Sequence, residues 1–220
     1  MKYLSVTEII GPVMVGPSSS HTAGAVRIGQ MARSIYGGQA REAEIYFYGS
    51  FAHTFKGHGT DVAVIAGLLG FSTFDERIPQ ALEEAEQAGL KVTIIPTNEP
   101  ADHPNTARII LKGELGQVNV VGISIGGGNA QITEIDGFRI QVNADMATSI
   151  IMHQDKAGVI ASITDIYGKH GINIGHMEVS RKAKGDLALM SLETDEEIDG
   201  EVIAELRALP YMHKVIQVRR

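Results

Sequence analysis

Gly16-Pro17-Ser18-Ser19-Ser20-His21-Thr22-Ala23-Gly24 sets three adjacent serines, a histidine and a threonine directly after a Gly-Pro turn. It runs into a segment whose Ala25, Ile28, Gly29, Ala32 and Ile35 fall on one face at helical spacing. A helix is therefore predicted to start here, with a serine as its N-cap. The first turn of a helix offers free N–H groups and a partial positive charge. Hydroxyl donors and an imidazole on that turn make it a candidate receptor for a small anion such as a carboxylate.

The rest of the composition narrows the function. The chain has 220 residues, enough for one large domain or two small ones, and 44% of them are hydrophobic. The formal charge is −7, and no strong basic run precedes the final Arg219-Arg220, which argues against nucleic acid as a partner. There is no cysteine, which rules out disulfides, cysteine nucleophiles and any iron–sulfur cluster held by this chain's own thiolates. Met1-Lys2-Tyr3-Leu4-Ser5 lacks the apolar core of a signal peptide, and no apolar run reaches membrane-spanning length. A soluble cytoplasmic protein is the expectation, with no membrane partner.

Downstream, Glu44–Gly49 reads as a strand closed by glycine. Ser50–Asp61 reads as a polar loop carrying His53 and His58, after which Thr60 or Asp61 caps a helix over Val62–Leu69 that Gly70 ends. A polar helix spans Pro79–Ala88 and a strand Lys91–Ile95. A second polar loop, Asn98–Thr106, holds His103. Ala107–Leu111 and Val118–Ile125 read as strands, and Gly126-Gly127-Gly128 as a turn or the rim of a pocket, since it lacks the spacing of a phosphate loop. Asp136-Gly137, between Ile132–Ile135 and Phe138–Val142, is a strong hairpin signal.

A domain boundary is expected over Asn143–Ala147, dividing the chain into 1–146 and 148–220. The second part reads strand (Thr148–His153), helix (Val159–Gly168), strand (Ile172–Arg181), strand (Leu187–Thr194), helix (Gly200–Leu209), strand (Lys214–Val218). Val159, Ile160, Ile163 and Ile166 are expected to point inward. That order is the ferredoxin-like βαββαβ arrangement, so the fold class is α+β: an open α/β domain followed by a ferredoxin-like one.

Asp155-Lys156-Ala157-Gly158-Val159-Ile160 and Gly171-Ile172-Asn173-Ile174 resemble the first loop and second strand of an ACT domain, although that family usually has proline where Ala157 stands. The resemblance implies pairing of two copies into a homodimer. It also implies a regulatory amino-acid site near Asp155, Gly158 and Asn173. The string Gly16–Gly24, with Gly57-His58-Gly59-Thr60-Asp61, resembles the beta subunit of the two-subunit iron–sulfur-dependent L-serine dehydratases. A similar domain in some phosphoglycerate dehydrogenases is regulatory.

That second resemblance implies an ammonia-lyase reaction, L-serine to pyruvate and ammonia. A four-iron four-sulfur cluster on the alpha subunit would act as Lewis acid, with an aminoacrylate intermediate. This chain would be inactive alone. It also implies roles: Ser18, Ser19, Ser20 and Thr22 holding the substrate carboxylate or the partner's loop, and His21 and His58 orienting substrate or serving as acid or base. Thr60 and Asp61 would support His58.

Two other readings compete. One is a free-standing amino-acid sensor. The other is a hydrolase built on Ser20 and His21, disfavoured because neighbours on a helix start rarely face each other. His53, His58 and Asp61 suggest zinc only weakly, without a His-Glu-x-x-His pattern. The loop Arg181–Asp186 is a candidate for a potassium ion. His53, His103, His153, His170, His176 and His213 are expected to be ordinary surface residues.

Overall fold

The computed structural model describes residues 13–218; Met1–Ser5 and Arg219-Arg220, read above, lie outside them. A π-helical turn, Ser19–Ala23, leads into helix α1, Gly24–Tyr36. Then follow β1 (Glu42–Tyr48), α2 (Gly49–His58), α3 (Thr60–Leu69), a 3-10 turn (Ile78–Gln80) and α4 (Ala81–Gln87). Strands β2 (Lys91–Pro96), β3 (Asn105–Gly113), β4 (Gly116–Gly126), β5 (Asn129–Ile135) and β6 (Phe138–Asn143) complete a six-stranded sheet of order β2-β1-β3-β4-β5-β6. β1 pairs parallel with β2, reached through the helical crossover, and antiparallel with β3.

The apolar stripe read in the sequence is the buried face of α1. Ala25, Ile28, Ala32 and Ile35 are all inaccessible to solvent. α1 crosses α3 where two glycines meet. A Cβ on Gly67 would stand 2.0 Å from the Val26 carbonyl oxygen, and one on Gly29 2.2 Å from that of Val64. Only backbone fits at this crossing.

Ser50–His58 is a helix and not the loop expected. Its histidine, threonine and glycines read as breakers, but Phe51 and Phe55, one turn apart, both meet Phe47 of β1, at ring-centroid distances of 5.9 and 5.6 Å. Aromatic packing on the sheet overrides weak local propensity. Neither Thr60 nor Asp61 caps α3. Gly59, at φ +65°, occupies the N-cap, and Thr60 is the helix's first residue, fully buried. Asp136 and Gly137 adopt φ of +50° and +79° between β5 and β6, the two-residue hairpin expected.

The chain divides into two compact units at Asp136–Gly137. The second carries β6 and, after it, β7 (Ala147–Gln154), α5 (Val159–Lys169), β8 (Ile174–Arg181), β9 (Leu187–Thr194), α6 (Gly200–Ala208) and β10 (Met212–Val218). Sheet order β10-β7-β9-β8 is that of the ferredoxin-like fold, as read from the sequence. Val159, Ile163, Ile166 and Tyr167 form the buried stripe of α5. Ile160 is 38% exposed, because Tyr167, not Ile160, continues the i, i+4, i+8 row. His153 is not a surface residue. It lies in β7 between Ala188 of β9 and Met212 of β10 and is buried.

Burial pushes the Tyr167 phenol up to about 12, partly offset by the Ser149 hydroxyl. A raised value means that the unfolded chain releases this proton first. Stability from a neutral Tyr167 is complete below pH ~10 and is lost as pH rises toward 12. Denaturant titrations are expected to show Tyr167→Phe gaining roughly 1 kcal/mol on the wild type between pH 9 and 11. Parallel curves for the two proteins would contradict this.

Candidate functional site

The π-helical turn organises the candidate site. The Ser18 hydroxyl accepts from the His21 backbone N–H at 3.2 Å, so Ser18 is the capping serine. His21 lies between two hydroxyls, with Ser20 Oγ 3.0 Å from Nδ1 and Ser50 Oγ 3.0 Å from Nε2. Ser18 Oγ lies 3.4 Å from Ser20 Oγ and 3.5 Å from His21 Nδ1. The Phe51 ring meets His21 edge-on at 5.2 Å, and the His58 ring lies 4.8 Å away, tilted by 36°. The two histidines read from the sequence thus form a pair, brought together because α1 and α2 start and end at the same place.

The hydroxyl of buried Thr22 donates to the His58 carbonyl at 3.2 Å, which ties the turn to α2. That commits Thr22 to the scaffold. Ser19 is half-buried in the same turn. His58 Nδ1 and Thr60 Oγ1, from residues on either side of the α2–α3 joint, are buried with no hydrogen-bond partner. Asp61 Oδ1 accepts from the Val62 N–H at 2.9 Å, a local turn contact. Burial, and secondly the neighbouring His58, hold His21 below its ordinary 6.5, so its neutral form prevails near neutrality.

Ser20 and His21 do face each other, against the expectation from sequence, within the wider π turn. They still do not make a hydrolase triad. The far nitrogen of the imidazole meets the Ser50 hydroxyl, where a triad would place an orienting carboxylate. Ser50 and Phe51 were hidden from the sequence reading by the loop assignment. The only signal for them was a serine directly after the glycine that closes β1.

The glycine turn after β4 abuts the start of α1. A Cβ on Gly24 would fall 2.1 Å from Ser124 Oγ, and Arg27 donates to Asn129 Oδ1 at 2.7 Å. Other histidines are engaged locally. His53 Nδ1 donates to the Gly49 carbonyl at 2.6 Å, His103 Nδ1 accepts from the Asn105 N–H at 3.1 Å, and His170 lies 3.0 Å from Glu205. No group of three or more His, Asp or Glu side chains among the described residues is placed to hold a metal ion. In the second unit, Asp155 accepts from Arg181 at 2.8 Å and from the Gly185 N–H at 3.0 Å. The backbone bond first, then the guanidinium, holds its carboxyl below the usual range. Arg181 and Gly185 both belong to the loop read as a candidate for potassium. Gly158, at φ +88°, precedes α5, and the Asn173 amide donates to Asp195 at 2.9 Å.

Fold and site together define a two-part chain: an α+β domain with a serine–histidine turn, followed by a ferredoxin-like βαββαβ module. A family model described as "Serine dehydratase beta chain" matches residues 5–134, and one for the ACT domain matches 147–211. The chain belongs to the serine dehydratase beta chain family. It is 50% identical to the probable L-serine dehydratase beta chain of Bacillus subtilis, over 99% of both chains. It is 38% identical to the L-serine dehydratase beta chain of Peptoniphilus asaccharolyticus, over 87% of both. A D-3-phosphoglycerate dehydrogenase of Synechocystis is 26% identical over 81% of this chain and 32% of its own length.

Proposed function

We propose that this chain is the beta subunit of an L-serine ammonia-lyase, converting L-serine to pyruvate and ammonia together with an alpha subunit. The observation that carries the reading is the His21–His58 pair set among the hydroxyls of Ser18, Ser20 and Ser50. The full-length kinship to chains named L-serine dehydratase beta chain supports it. A four-iron four-sulfur cluster, the Lewis acid for the leaving hydroxyl, does not fit this chain's donors. The sequence has no cysteine, so the cluster is assigned to the alpha subunit.

This chain's own part is then to bind and to move a proton. The serine hydroxyls hold the polar ends of the amino acid, and neutral His21 accepts or returns a proton beside them. His58 and Phe51 keep that imidazole packed and partly dry. Thr60 and Asp61 hold the start of α3 behind His58. The sensor alternative has no comparable support, because the full-length kinship is to enzyme subunits.

The test is reconstitution. The purified chain, treated anaerobically with iron and sulfide, is expected to show no cluster absorbance and no pyruvate formation. Mixing it with a cluster-bearing alpha chain should restore turnover. Serine-dependent pyruvate from this chain alone, or none from the mixture, would remove the proposal.

The proposed domains are 1–146 and 148–220, the second an ACT module that pairs and senses an amino acid near Asp155, Gly158 and Asn173. β8 is an outer strand of its sheet, with Met177 and Val179 exposed, and an open edge of that kind favours a neighbour. Sedimentation of the full chain at tens of micromolar, a range suited to weak association, is expected to report a dimer. A strictly monomeric chain would refute pairing. Cytoplasmic location belongs to the same proposal. No helix among the described residues is long and apolar enough to cross a membrane.

A further inference from the structure

The hairpin between β4 and β5 meets the start of α1 at Gly24. The Gly24 N–H donates to the Ser19 carbonyl, which closes the π-helical turn. A Cβ on Gly24 would stand 2.1 Å from Ser124 Oγ and 3.4 Å from the Asn129 carbonyl oxygen, so the hairpin lies directly against that closure. Arg27 follows one turn along α1, and side chains on a helix lean back toward its N-terminus. The Arg27 Nη1 donates to Asn129 Oδ1 at 2.7 Å, which holds the guanidinium at the junction of turn and hairpin. Asn129 is neutral and takes only one of the guanidinium's several N–H donors. Arg41, Arg77 and Arg181 are each paired with a carboxylate, Glu114, Asp75 and Asp155. Half-buried Arg27 has none within ion-pair distance among the described residues, and the first turns of the π-helical segment and of α1 hold no acidic residue. A charge kept partly out of water without a counter-ion is costly, and an anion from outside the chain relieves that cost.

We propose that Arg27 is a substrate-binding residue: its remaining N–H donors take the carboxylate of the amino acid beside the serine–histidine turn, and Asn129 is the positioning residue that aims them. A guanidinium presents a rigid fork of donors that matches a carboxylate. The hydroxyls of the turn carry no charge, and His21, held below its ordinary value, carries none near neutrality. Arg27 supplies the positive charge they lack, with the sign that an anion receptor at this turn demands. The anchor also sets a specificity. An amino acid with a free carboxylate is accepted, and its amide or ester, which lacks the negative charge, is refused. This assignment rests on the reading under Proposed function.

The experiment uses the full chain reconstituted with a cluster-bearing alpha chain. Arg27→Gln keeps an N–H donor for Asn129 and removes the charge, whereas Arg27→Lys keeps the charge. Asn129→Asp sets a competing carboxylate on the guanidinium. Arg27→Gln is expected to raise KM for L-serine on the order of 10- to 100-fold with a smaller change in kcat, as the loss of a charged hydrogen bond to bound substrate does. Arg27→Lys should recover part of that loss, and Asn129→Asp should raise KM as well. The alpha-chain concentration that gives half the maximal rate at saturating L-serine should be the same for wild type and variants. An unchanged KM in Arg27→Gln overturns the proposal, and a raised demand for alpha chain in its place assigns the guanidinium to a carboxylate of the partner. A KM raised equally by Arg27→Lys and Arg27→Gln overturns it too, since charge then plays no part. Should Arg27→Gln fail to fold, Asn129→Asp decides, and an unchanged KM there overturns the proposal. If the wild-type mixture makes no pyruvate, the reading under Proposed function fails and takes this assignment with it. If it makes pyruvate and KM does not move, only this assignment fails.

Discussion

Substituting alanine for His21 is expected to lower kcat/KM of the reconstituted enzyme by roughly 30- to 1,000-fold, about 2–4 kcal/mol of transition-state stabilisation. The imidazole is bonded on both sides, to Ser20 and to Ser50, and it packs against His58 and Phe51. Its removal leaves those hydroxyls without their common partner. The fold should survive, because His21 is only half-buried and the turn is held separately by Ser18 and Thr22.

A pH signature accompanies the loss. His21 is held below 6.5 by burial and then by His58. A depressed value means that the unfolded chain takes up the proton first as pH falls. The stability contributed by neutral His21 is complete above 6.5 and is lost as pH drops through the folded value. The acid limb of activity should accordingly lie below 6.5. His58→Ala should move that limb upward while also reducing turnover. Exposed His213 supplies the control, and His213→Ala should leave both rate and profile unchanged. Undiminished turnover in His21→Ala would displace the site from this turn.

Gly67→Val is expected to prevent the first unit from folding stably. Two effects of opposite sign compete at this position. Replacing a mid-helix glycine by a residue with a side chain favours the helix by up to about 1 kcal/mol. Against that, the added Cβ would lie 2.0 Å from the Val26 carbonyl oxygen, 2.8 Å from the Gln30 nitrogen and 2.9 Å from the Gly29 Cα. All three are backbone atoms, so no side chain can swing aside. α1 and α3 would have to part, and overpacking of a core costs about 1–3 kcal/mol even where rotamers can adjust. The clash wins. Gly67→Ala, the mildest version, should still lower the urea midpoint. A midpoint unchanged or raised in Gly67→Ala would show that the crossing is looser than described.

How far residues alone reach is clear from particular elements. The α1 stripe, the Asp136-Gly137 hairpin and the βαββαβ order were legible because each rests on a local period or a turn residue with its own conformational demand. α2 was not legible. Its helical state depends on Phe51 and Phe55 finding Phe47, a contact made only after β1 exists. The same error hid Ser50, the second partner of His21. The histidines divided likewise. His21 and His58 stood out through their flanking glycines and hydroxyls. His153, buried between strands, looked like any polar residue near a strand end, since burial there comes from β9 and β10 across the sheet.

The place of β1 in its sheet has a consequence for synthesis. Every residue of the candidate site lies between Ser18 and Asp61, yet β1 is flanked by β2 and β3, which end at Pro96 and Gly113. A growing chain exposes the serine–histidine turn and the apolar faces of α1 and α3 before either neighbour of β1 has been made. At about 5–20 residues per second, the fifty or so residues still needed take roughly 3–10 s. For those seconds the nascent chain carries a complete set of site residues against an unfinished sheet. That interval is the natural window for a chaperone to engage it.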